Sequence, residues 1–293
     1  MPFTVTLAQL FRVVVLFSVL LIVFSFALRC TWLAATSLFR NPSLLLRSLL
    51  AMNVLLPLFA ALLVAQFALR PAVGIALVAL AVSPVPPFLP RKQLTLVASD
   101  EYIYGLLSAS SLLAIVLAPL TLALIGVLSS QQLDLAPLAI AKIIALTILL
   151  PFSLGMIVRR MTPAFAQRAS PIADQIGGWL LLVAMVPLIV ALWPAMISLV
   201  GNGTVFAVIA FTGVALAVGH VLGGPDSDHR TVLALATATR HPGVALTIAG
   251  GNFPDEKLMA PALMLYLLVS AIVSTPYVLW RRRLHRNRSA ASV

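Results

Sequence analysis

Apolar residues run along this chain in long unbroken stretches separated by short loops that carry the Arg, Lys, Asp and Glu residues. Many stretches approach the ~20 residues an α-helix needs to cross a hydrocarbon core. Backbone groups in lipid must be paired within their own element, so such runs become helices. On length, about nine spans fit, at 11–36, 43–68, 72–97, 102–128, 136–159, 174–199, 203–223, 229–251 and 257–281. A β-barrel is excluded, because its strands are short and alternate in polarity. The expected fold is an all-α polytopic membrane protein.

Two of these spans are interrupted. The third holds Pro84, Pro86, Pro87 and Pro90 within seven positions, followed by Arg91, Lys92 and Gln93. Prolines at that density cannot be helical, since each removes an N–H donor and clashes with the preceding turn. The eighth carries Thr239-Arg240-His241-Pro242-Gly243 in the middle of its apolar run. Pro242 biases His241 away from the α region, and Gly243 permits unusual backbone angles. Non-helical backbone at membrane depth survives only where protein buries it or water bathes it. A single proline kink with a nearby base is often structural, Arg240 satisfying the carbonyls that the break exposes. Two such breaks in corresponding halves point to the central site of a secondary transporter built from inverted repeats.

Composition agrees with the pattern. Of 293 residues, 61% are hydrophobic and 9% charged, and the mean hydropathy is +1.10, whereas soluble domains are about a quarter charged. The net charge of +11 does not imply nucleic acid, because the bases gather in loops and in the tail Arg281, Arg282, Arg283, Arg286, Arg288. The positive-inside rule puts the C-terminus in the cytoplasm and the N-terminus outside, in a plasma or inner membrane, with Arg70 and Lys257 as exceptions. All eight acidic residues fall at span ends or in loops, so no carboxylate stands ready in mid-membrane for sodium or protons. Lone Cys30 allows no internal disulfide and no metal framework, and it reads as an apolar filler. No cofactor or metal is expected. The run Val13–Leu28 has a weak basic flank and a poor cleavage site, and it reads as a retained span.

The breaks also suggest the charge of a ligand. A half-helix that restarts after Pro90 or Pro242 points free N–H groups and its positive dipole end toward the cavity. Arg91, Lys92, Arg240 and His241 add formal charge, so a compact carboxylate or sulfonate fits and a cation does not. Thr239, Gln93, Ser108 and Ser111 are the expected polar neighbours. Ser108 and Ser111 share a helix face, where serines also serve plain helix packing. His241 could change charge near neutral pH and couple binding to protons.

Three motif groups, in this order, resemble the bile acid:sodium symporter family, within the wider group of bile, arsenite and auxin-type carriers. They are Phe39-Arg40-Asn41-Pro42 leading to Asn53-Val-Leu-Leu-Pro57; Ser83-Pro84 followed by Leu107-Ser108-Ala-Ser110-Ser111 and Ala118-Pro119; and Thr239–Leu246 with Ala260-Pro261-Ala262. The resemblance extends from about Phe24 to Trp280. It implies a panel domain and a core domain with two broken helices that cross near substrate and sodium sites. It also implies a single transporter domain over 1–293. In it, 11–128 is a first inverted repeat lacking its first helix, 136–281 the second, and 282–293 a basic cytoplasmic tail.

The departures from the family bear on coupling. Sodium-coupled members carry a Glu and, four residues on, a Gln in the second crossing, where this chain has Ala236 and Arg240. Where they carry a Ser-Asn pair in the first crossing, this chain has Leu89-Pro90, then Arg91-Lys92. Sodium needs oxygen ligands, and guanidinium or ammonium groups would repel it. The expectation is a carrier of a small or amphipathic organic anion that works by alternating access without sodium, a tethered positive charge standing where the cation stood. The alternatives are a non-transporting sensor or partner subunit with a ligand cavity, a sodium symporter with a relocated cation site, and a metalloid carrier. An intramembrane enzyme is disfavoured, because no HExxH, no usable Cys–His pair and no paired carboxylates occur in a span.

Overall fold

A computed structural model of the chain describes residues 2–86, 100–129 and 137–291. Within them the chain is helical. The helices are α1 (Pro2–Ala27), α2 (Pro42–Gln66), α3 (Pro71–Val82) and α4 (Asp100–Ser129), then α5, composed of Pro137–Ile144, Ala145–Leu149 and Leu150–Met161. They continue as α6 (Pro163–Leu199), α7 (Thr204–Leu222), α8 (Ser227–Ala238), α9 (Pro242–Asn252) and α10 (Met259–Ala291). Among the described residues six helices are long and apolar enough to cross a membrane, and Val13–Ala27 and Pro71–Val82 are shorter apolar helices. The protein is an all-α polytopic membrane protein.

The expected spans differ from the helices mainly at their ends. The first stops at Ala27, because Leu28–Cys30 turn and Thr31 caps a separate short helix, Trp32–Ala35, through the Ala34 N–H. Helix α6 begins eleven residues earlier than the expected 174, since polar Gln167 and Arg168 sit comfortably in helix outside lipid. Asp174 therefore lies within a helix and not at its start, and its Oδ1 accepts from the buried Ser25 hydroxyl at 3.4 Å. The basic tail continues α10 as helix to Ala291.

Two sets of helices emerge. Helix α1 packs along α5 and α6, while α6 turns Ile172, Trp179, Leu182, Val186 and Val190 outward, as a lipid-facing helix must. In the other set α7 lies along α8, α3 along α9, and α10 against both α7 and α3. Helix α8 is buried from Thr231 to Ala238, which only a helix surrounded by protein achieves. Helices in a membrane associate by close backbone approach at small residues. A Cβ on Gly155 of α5 would sit 2.5 Å from that of Ala27, and one on Gly219 would sit 2.5 Å from the Ala234 Cα of α8.

Basic residues gather at one end of the bundle and tie elements together there. Arg29 Nε donates to Ser170 Oγ (3.1 Å), Arg159 to the Leu28 carbonyl (3.1 Å), and buried Arg281 to Ser227 and Thr231 at the start of α8. Cys30 is buried in the turn at this end, where burial pushes its thiol up to about 12. It stays protonated at neutral pH and lacks the nucleophilic thiolate. His220 and His229 are half-buried near this end. His220 Nδ1 lies 2.8 Å from the Tyr277 hydroxyl, and the His229 ring packs on Tyr102.

The glycine contacts make a paired test. Gly219→Ala should lower stability in detergent by about 1–3 kcal/mol, because neighbouring backbone cannot yield to the methyl group. Gly213→Ala, on the same helix with nothing within 4 Å, should raise it by up to about 1 kcal/mol through helix propensity. Thermal unfolding of both variants decides, and equal shifts would contradict the close α7–α8 approach.

Candidate functional site

The two sequence breaks meet. Helix α3 ends at Val82, and Ser83–Pro86 continue as buried, non-helical backbone. Helix α8 ends at Ala238, the chain passes through extended Thr239 and His241, and α9 starts at Pro242. The backbone N–H of His241 donates to the Pro84 carbonyl at 3.0 Å, joining one break directly to the other.

Three prolines each strip a helical carbonyl of its donor, and each of those carbonyls finds a side chain. Pro84 stands four residues after Leu80 and offers no N–H, so the Leu80 carbonyl accepts from the Ser83 N–H (3.0 Å) and Ser83 Oγ (2.8 Å), and from Arg240 Nε at 3.1 Å. Pro242 stands four after Ala238, whose carbonyl accepts from the Tyr266 hydroxyl at 2.5 Å. The third case needs a local widening. Residues Leu50–Leu55 of α2 form a π-helical turn in which the Leu56 N–H reaches back to Ala51. In that register the partner of Met52 would be residue 57, a proline. The Met52 carbonyl accepts instead from Arg240 Nη2 at 3.0 Å.

Arg240 is thus the centre of the crossing. It is 1% exposed, and its guanidinium also donates to the Ala81 carbonyl at the frayed end of α3. Three of its five N–H groups are taken by carbonyls from two helices, while buried Nη1 has no partner among the described residues. The C-terminal end of α3 carries the negative end of its dipole, which favours a cation there. No ion pair to Arg240 occurs among the described residues, whose carbonyl dipoles face its charge.

His241 is buried and caps α9, its Nδ1 accepting from the Val244 N–H at 3.3 Å. An accepting Nδ1 puts the ring proton of the neutral imidazole on Nε2. Because the His241 carbonyl takes the Ala245 N–H and Pro242 has none, the N–H of exposed Gly243 is the donor left at this helix start. Thr239 is half-buried in the gap between the two half-helices. Ser108 and Ser111 both lie on α4 with buried hydroxyls that have no partner among the described residues. Pro84 and Pro86 are buried in the first break. Arg91, Lys92, Gln93, Pro87 and Pro90 lie outside the described residues. No group of three or more His, Cys, Asp or Glu suited to a metal occurs among the described residues.

The model of the sodium bile acid symporter family matches residues 16–200, more than half of the chain. The protein belongs to this family. Its members are membrane transporters of the bile acid and organic anion type, so this chain is a membrane transport protein and not a member of an enzyme family. The match covers the first break and ends before α7, so Ala236, Arg240 and His241 lie beyond it. No curated protein matches the chain.

Sequence reasoning marked Arg240 and offered the carbonyls exposed by a break as its acceptors, but it missed the Met52 carbonyl, Tyr266 and the role of Pro57. A signal for these existed: a buried carbonyl four or five residues before each intramembrane proline must find a donor elsewhere. Replacing Arg240 by Met should therefore cost about 3 kcal/mol or more, as buried carbonyls lose their partners. Tyr266→Phe should cost about 1–3 kcal/mol for one. Chemical denaturation in detergent measures both, and an Arg240→Met protein as stable as its parent would refute the clasp.

Proposed function

We propose that the protein carries a small or amphipathic organic anion across the membrane by alternating access without sodium, with Arg240 as a built-in cation. The observation that carries this reading is the guanidinium buried against the carbonyls of Met52, Leu80 and Ala81. Carbonyl oxygens freed by broken helices are the ligands a sodium ion seeks in a membrane carrier. Here a covalently attached cation already occupies them. A free ion would meet both a filled donor shell and a like charge.

The same charge supports an anionic substrate. A buried guanidinium opposed only by dipoles costs several kcal/mol, and an anion in the adjoining space lowers that cost. Arg240 Nη1, the Gly243 N–H and the positive end of α9 are the groups available to it, with Thr239, His241, Ser108 and Ser111 as neighbours. Arg91, Lys92 and Gln93 remain proposed contacts from the first crossing, and a proton role for His241 remains part of the proposal. In this account the helices of the crossing move as a unit against α1, α5 and α6, and the two five-helix halves act as inverted repeats, the first without its opening helix. The basic end of the bundle faces the cytoplasm, in a plasma or inner membrane.

Uptake into liposomes reconstituted with the protein tests this. Labelled carboxylates and sulfonates should enter equally with and without a sodium gradient. Arg240→Ala should abolish uptake, and Arg240→Lys, which keeps the charge but loses the fork, should reduce it by about tenfold or more. Uptake that needs sodium would contradict the proposal. No uptake of any anion would favour a sensor.

A further inference from the structure

One face of the bundle carries a different feature. Helices α2, α3, α4 and α9 enclose a slot of about 810 Å³ whose wall is apolar apart from Asn53, Thr121 and Asn252. Along α2 its lining runs from Leu46 to Ala65, roughly 28 Å at 1.5 Å per residue, close to the ~30 Å thickness of a hydrocarbon core. Leu46, Leu50, Leu58, Leu120 and Leu124 line it and are all at least 40% exposed, which marks the slot as open to the lipid side.

At one end the slot shares Val64, Gly74, Ile75, Asn252 and Phe253 with a second cavity of about 550 Å³. That cavity adds Arg70 from the α3 N-terminus, and Asp255 and Glu256 from the turn before α10. The side chains of Arg70 and Asp255 have no hydrogen-bond or ion-pair partner among the described residues, and Glu256 accepts only the Leu258 N–H at 3.2 Å. One cation and two carboxylates therefore face the same space without neutralising each other.

A long apolar slot open to lipid, ending at interface level in charges of both signs, fits an amphiphile with a zwitterionic head. We infer that this groove holds one phospholipid with a phosphoethanolamine headgroup. One of its acyl chains lies along the half of α2 nearer Ala65, its phosphate meets Arg70, and its ammonium meets Asp255 and Glu256. The two carboxylates against one arginine disfavour an anionic lipid, whose head adds negative charge and offers no ammonium. The length of the apolar wall favours a lipid over a short soluble zwitterion. Neither Arg240 nor His241 lines the groove, so this binding is separate from the proposed transport site and does not depend on it.

Native mass spectrometry of the full-length protein in detergent, with equal amounts of phosphatidylethanolamine and phosphatidylglycerol, reads the selection. The ethanolamine lipid should be the retained adduct. Arg70→Gln and the pair Asp255→Asn with Glu256→Gln should each lower that adduct by about tenfold, while gel-filtration elution stays that of the parent. Glycerophosphoethanolamine, the same head without chains, should not be retained. Equal retention of both lipids, or an ethanolamine adduct indifferent to the substitutions, would overturn the assignment. Retention of the chainless head as firmly as the lipid would overturn it as well.

Discussion

A carbonyl that loses its helical donor inside a membrane has no water to turn to, and at the crossing this protein creates three such carbonyls with prolines. Pro57, Pro84 and Pro242 leave Met52, Leu80 and Ala238 without their regular partners. Arg240 answers the first two and Tyr266 the third. Each unsatisfied group would cost several kcal/mol in hydrocarbon, so these side chains set which helices meet. Arg240 alone holds the middle of α2, the end of α3 and the gap between α8 and α9 in one place. The His241–Pro84 backbone bond then joins the two breaks.

This arrangement changes how a member of a sodium symporter family is to be understood. Freed carbonyls at a break form a cation site by default, because their dipoles need positive charge. A mobile ion supplies that charge only when it is bound, whereas a guanidinium supplies it permanently. Coupling to an ion gradient depends on the difference between the bound and empty states. In the proposed account Arg240 removes that difference at this position, and the crossing keeps one charge state throughout. Among the described residues Nη1 has no partner, and no carboxylate cancels the positive charge of the site.

Much of the fold was legible in the sequence, because hydrocarbon imposes simple rules. Unbroken apolar runs gave helices, and Pro84, Pro86 and Pro242 mark the breaks where they occur. The ends were less legible. Helix α6 and the arginine tail extend as helix into water, where polar residues permit helix as readily as loop. At the crossing, the sequence marks Arg240, His241 and the prolines that break the helices, but not the hydrogen bonds that Arg240 makes there. Arg240 was marked as a ligand contact, and its hold on the Met52 carbonyl depends on a π-helical turn that shifts the proline effect from four residues to five. No periodicity announces that shift. Arg70 looked like an exception to the charge rule. Its place beside Asp255 and Glu256 appears only when turns nearly two hundred residues apart in sequence line one cavity.

The most direct test of the central claim is the ion dependence of thermal stability in the purified protein, without substrate. An ion that binds the folded state alone stabilises it by RT ln(1 + [L]/Kd), about 2.7 kcal/mol at a hundredfold excess over Kd. The melting temperature should be the same in sodium, potassium and choline chloride at equal ionic strength, because the carbonyls of the crossing already hold the Arg240 guanidinium. A rise specific to sodium would mean that an ion binds despite it, and would contradict the account.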